Sequence, residues 1–247
     1  MKKISRPACL FLIAAATLFV FFCVYLKVSP DRLTGAAFCH QLPARSPAFG
    51  FPFCYRCSGL FFGIFFGLLT SCFTGRSDKL CSRPLLAACA VSIILFLLDI
   101  LNSSKFPIIH VYPEKVSYRF LSAYPLGYCT AQLIASIFKY LLEEKKSDSK
   151  IHIIPGILIF SVTAGLSFLL IFCENYSISL LSRIVLSFTA LSFLALLYAI
   201  LQKCYSLWRS KTIADPDLLL YGLSCSLLQI SLIGFLHLRF LPFEQFI

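Results

Sequence analysis

Charged side chains are scarce in this chain. They make up 13% of its 247 residues, against about a quarter in an ordinary soluble domain. A surface so poor in charge does not face water over most of its area. Acids are the scarcer sign, with 11 Asp and Glu against 22 Lys and Arg. The resulting net charge of +11 does not indicate nucleic acid. No basic patch with interleaved aromatics occurs, and the cations fall in short loops between apolar runs. No internal repeat is present, so an inverted-repeat transporter is not indicated. No A-x-A-type site ends the first apolar run before Lys27, which favours a retained anchor helix over a cleaved signal. No stretch is polar enough to own a separate soluble core.

What the chain has is apolar length. It is 59% hydrophobic and 15% aromatic, with 26 Phe and a mean hydropathy of +0.85. Runs of this length and composition read as lipid-facing helices. The expected fold class is all-α, a polytopic transmembrane helix bundle. About seven spans are expected: 8–28, 53–73, 84–101, 119–142, 151–173, 180–201 and 218–238. They divide into an N-terminal anchor helix (1–28), a core of three spans behind an outer loop (29–142) and a C-terminal extension of three spans (143–247). The loop 29–52 holds Pro30, Pro43, Pro47, Gly50 and Pro52 and reads as neither helix nor strand. Pro125 and Gly127 should bend the fourth span. Thirteen of the 22 Lys and Arg fall on one side of this topology. That bias sets the N-terminus in the cytoplasm and the C-terminus outside, in the cell membrane, of bacterial inner-membrane type. The partner is the lipid bilayer.

Sulfur is abundant, with 12 Cys. Nine of them (Cys9, Cys23, Cys72, Cys81, Cys89, Cys129, Cys173, Cys204 and Cys225) lie in or beside apolar runs, where a thiol is a small apolar filler. Cys39, Cys54 and Cys57 instead flank the polar loop. Cys54 and Cys57 stand at i and i+3, so both face one side of the second span at its start. The helix dipole there and the neighbouring Arg56 favour a thiolate. Three chemistries fit the spacing. In thiol–disulfide exchange, Cys54 attacks, Cys57 is its partner, Cys39 resolves, Arg56 activates and His40 moves protons, with a protein partner or a quinone as the other couple. In a zinc site, Cys39, His40, Cys54 and Cys57 form a tetrahedral set. In a structural disulfide, Cys39 pairs with Cys54 or Cys57 across a loop of about fifteen residues, worth on the order of 3 kcal/mol. Covalent haem is excluded, because Ser58 stands where Cys-x-x-Cys-His needs its histidine.

Two further patterns stand out. Asp99 lies inside an apolar run, where a carboxylate requires a partner or water. Arg56 and Arg119 are the cations expected at its depth. The pair is either a structural ion pair or the lining of a path for a small solute or ion. Gly59, Gly63 and Gly67 form a smooth stripe that lets another membrane helix approach closely. The stripe could also serve a non-catalytic assembly subunit. His110 and His152 read as solvated loop residues, and His237 and Arg239 as interfacial.

The ordered set Cys39-His40-Gln41-x-Pro43-x-Arg45-Ser46, then Cys54-x-Arg56-Cys57-x-Gly59, resembles the signature of a membrane family catalogued as domain of unknown function 2085. Asp99 and Arg119-Phe120-Leu121 fall where that family carries an acidic residue and an Arg-Phe pair. The resemblance spans roughly 33–137. Tyr55 departs from it, standing where a small residue is common, as do Leu60-Phe61 and Ile100. The resemblance implies a polytopic membrane protein and no particular reaction.

Overall fold

The structure is a computed structural model. It describes residues 5–39, 53–73, 83–102, 116–142, 153–172, 176–209 and 215–240. Among these the chain is all helix: α1 (Arg6–Leu26), α2 (Pro30–Phe38), α3 (Tyr55–Phe73), α4 (Arg83–Asn102), α5 (Val116–Leu141), α6 (Ile153–Phe172), α7 (Tyr176–Trp208) and α8 (Asp215–Phe240). Helices α1, α3, α4, α7 and α8 are long and apolar enough to cross a membrane, and α6 adds a shorter apolar stretch, Ile157–Phe172. Helix α5 is more polar, with Arg119, Gln132 and Lys139 on it. These seven helices match the seven apolar runs. This is a membrane protein, and its apolar helices sit in a lipid bilayer.

The described chain forms two compact units, 1–43 with 187–247, and 44–186. The second unit is built on α3 and α5. Gly59, Gly63 and Gly67 bring the α3 backbone against the carbonyls of Phe120, Tyr124 and Tyr128, where a β-carbon would collide. Gly127 returns the contact against the Leu60 carbonyl. The close approach expected of the stripe is therefore made within the chain, and α5 occupies that face. Pro125 and Gly127 lie inside α5 without ending it, which membrane helices tolerate when neighbours satisfy the freed backbone. Gln132 donates to the Gly67 carbonyl at 3.0 Å. Lys139 donates to the Ser71 carbonyl near the end of α3, a position that favours a cation. The Tyr124 hydroxyl donates to Thr163 of α6 at 2.8 Å.

In the other unit, α8 packs on α1 and α2. The Phe22 and Phe235 rings stack with centroids 4.6 Å apart. The Ser5 backbone N–H donates to the Asp217 carboxylate at 2.9 Å. Gly234 meets Leu33 of α2, with 2.7 Å from a β-carbon position to the Leu33 carbonyl oxygen.

Helix α2 corrects the expectation for the loop 29–52, where residues 30–38 are helical. Pro30 opens the helix instead of breaking it. At the first helical position its missing N–H costs nothing and its fixed φ is already helical. Lys27 makes the preceding turn in the left-handed region, φ 52°. The second span also starts later than expected, at Tyr55.

Candidate functional site: thiols beside a buried ion pair

Helix α3 begins with Cys54 as its cap. The Cys54 carbonyl accepts the Ser58 N–H at 2.8 Å. The Cys57 backbone N–H donates to Cys54 Sγ at 3.4 Å. An N-cap side chain satisfies one of the four open N–H groups of a helix start, and here sulfur does so. Cys54 is buried and Cys57 half-buried. Phe53 closes over the start, its ring edge-on to Phe61 with centroids 5.5 Å apart. Tyr55 stacks on Phe172 of α6 at 5.2 Å.

Arg56, between the two cysteines, turns toward α4. Its Nε donates to the Asp99 carboxylate at 2.7 Å. One terminal nitrogen reaches the same carboxylate oxygen and also the Asp99 carbonyl at 3.4 Å. Asp99 is 1% exposed. The guanidinium also lies 5.9 Å from the Phe96 ring centroid, where cation and ring attract. The buried acid therefore meets Arg56, an arginine expected at its depth, and the pair bridges α3 and α4. Arg119 is buried in the first turn of α5. The contact of Gly59 with Phe120 puts it at the same end of the unit.

Cys39 ends α2, its N–H donating to the Gly35 carbonyl at 2.8 Å. Cys39 belongs to the unit 1–43 with 187–247, and Cys54 and Cys57 to the unit 44–186. Cys54 and Cys57, one turn apart at the start of α3, are the group on which a disulfide can form or a thiophilic metal be held. His40 and Arg45 lie outside the described residues, as do His110 and His152. His237 and Arg239 stand in the last turn of α8.

Sequence reading gave Phe96 no role and weighed Ser58 only against a haem motif. Phe96 is three residues before Asp99, so the two share a face of α4, and that spacing was the available signal. Ser58 is fully buried, and its hydroxyl has no hydrogen-bond partner among the described residues. It follows Cys54 by one helical turn.

No curated protein and no solved structure matches the chain significantly. Residues 39–134 match the family model described as Predicted membrane protein (DUF2085), a segment that holds the three cysteines, Arg56, Asp99 and Arg119.

Proposed function

We propose that the protein is a membrane-embedded thiol–disulfide exchanger. Cys54 is the attacking thiol, Cys57 its disulfide partner and Cys39 the resolving thiol. The observation that carries the reading is the sulfur cap: a helix start aims an open N–H at Cys54 Sγ, an arrangement that favours the thiolate. The Cys54 thiolate attacks a disulfide of a partner protein and releases one partner thiol. Cys57 then displaces the second. The partner gains two electrons and two protons, and this chain carries the Cys54–Cys57 disulfide. Cys39 attacks that disulfide to free one of the pair, and a second dithiol or a membrane quinol, itself oxidised to the disulfide or the quinone, supplies the two electrons and two protons that restore the thiols. His40 serves as proton carrier and Arg56 as fixed positive charge. The thiol end faces the extracytoplasmic side of a bacterial-type inner membrane, where disulfides persist.

Trapping tests this directly. Cys57→Ser removes the thiol that clears the mixed disulfide, so partner proteins should accumulate on Cys54. Cys54→Ser should carry none. Absence of mixed disulfides on both variants overturns the reading.

A second reading rests on the pairing of Cys54 and Cys57 at one helix start. Three thiolates with His40 form a donor set suited to zinc. Metal analysis of the purified protein separates the two readings. One equivalent of zinc, lost in Cys54→Ser, favours the holding site.

A further inference from the structure

Helix α7 has 33 residues, about 50 Å at 1.5 Å per residue. The hydrocarbon core of a bilayer is only about 30 Å thick, so the helix outruns it. At its final turn Tyr205 is 54% exposed and Trp208 76%. Arg209 follows immediately, its N–H donating to the Tyr205 carbonyl at 3.0 Å. The guanidinium carbon lies 5.4 Å from the Trp208 ring centroid and 5.7 Å from that of Tyr205. No carboxylate pairs with Arg209 among the described residues. Lys203 lies in the preceding turns of the same helix.

We infer that this last turn is an anionic-phospholipid site, in which Arg209 takes the headgroup phosphate. Three physical points select that partner. Tyr and Trp sit best at headgroup level, with an apolar body and a polar edge. Their rings hold the guanidinium over a face while leaving its planar N–H fork free for two phosphate oxygens. A zwitterionic headgroup brings its own ammonium to compete, whereas an anionic one leaves the phosphate charge for the arginine. Charge attraction at the surface contributes about fivefold in affinity per cation. Nothing in the thiol chemistry is needed for this site, which stands at the end of a different helix.

The test uses the full purified chain in neutral detergent, titrated with phosphatidylglycerol or phosphatidylcholine of identical acyl chains and read by native mass spectrometry. The expected result is saturable retention of phosphatidylglycerol, several-fold over phosphatidylcholine. Arg209→Gln should lower phosphatidylglycerol binding about fivefold and leave phosphatidylcholine unchanged. Arg209 is exposed, so the variant should keep wild-type helix content by circular dichroism. Equal retention of the two lipids by the wild type overturns the inference, as does an Arg209→Gln variant that keeps its preference. Displacement of the lipid by millimolar inorganic phosphate overturns it in favour of a free-phosphate site.

Discussion

Asp99 shows what one residue costs in this environment and what offsets it. Desolvating a carboxylate costs several kcal/mol, which the bonds from Arg56 must balance. Removing one partner leaves the other charge stranded. Asp99→Asn should therefore destabilise the protein by about 3–5 kcal/mol, measured as loss of thermal stability in detergent. The double replacement Asp99→Leu with Arg56→Met should recover much of that loss, because it buries no unpaired charge. A double variant as unstable as the single would count against the ion pair as the cause. The need for a partner was legible in the sequence, since a lone acid in an apolar run demands one. The geometry of the answer was not. Nothing in the sequence shows that the Arg56 side chain turns across to α4.

Helices are held together here by what they leave out. The α3–α5 contact depends on three glycines whose missing side chains admit carbonyl groups. Gly63→Ala should push the two backbones apart and cost about 1–3 kcal/mol, the usual range for overpacking. Gly165 provides the internal control, because nothing lies within 4 Å of its β-carbon position. Gly165→Ala should change stability by no more than about 0.5 kcal/mol, or raise it through helix propensity. Equal losses at the two positions would contradict the packing account. The stripe was readable from its four-residue spacing, but its occupant was not, since any helix with a smooth face could have taken it. Helix α2 was missed for a different reason: proline was weighed as a breaker when its position made it an opener. Tyr55 adds a related case. Its ring packs on Phe172 of α6, outside the matched segment 39–134.

At the scale of the molecule, apolar runs foretold the seven long helices found among the described residues, because bilayer thickness sets the minimum length of a span whatever the fold. Pairings between distant runs leave no such mark. Phe22 stacking on Phe235, and Ser5 bonding Asp217, join the first helix to the last with no local signal in either. The candidate site was legible in part. Cys39, Cys54 and Cys57 stood out as the thiols flanking a polar loop; Cys39 ends α2, and Cys54 and Cys57 stand at the start of α3. The sulfur cap required knowing that α3 starts at Tyr55 and not two residues earlier. Topology follows from the same helices. Cys72 lies at the opposite end of α3 from Cys57, some 22 Å away by helical rise. In variants carrying one reactive thiol each, an impermeant maleimide should label Tyr118→Cys and Cys57 from outside, and Cys72 only from inside. Labelling of Cys57 and Cys72 from the same side would refute the orientation.

The most direct measurement is the state of three sulfurs. The protein is quenched in acid, alkylated before and after reduction, digested and read by mass spectrometry, with metal analysed in the same sample. The thiol-exchange account predicts a Cys54–Cys57 disulfide that reductant opens and oxidant restores, at unchanged metal content. Cys39, Cys54 and Cys57 alkylated as free thiols under every condition, with no metal bound, would contradict it.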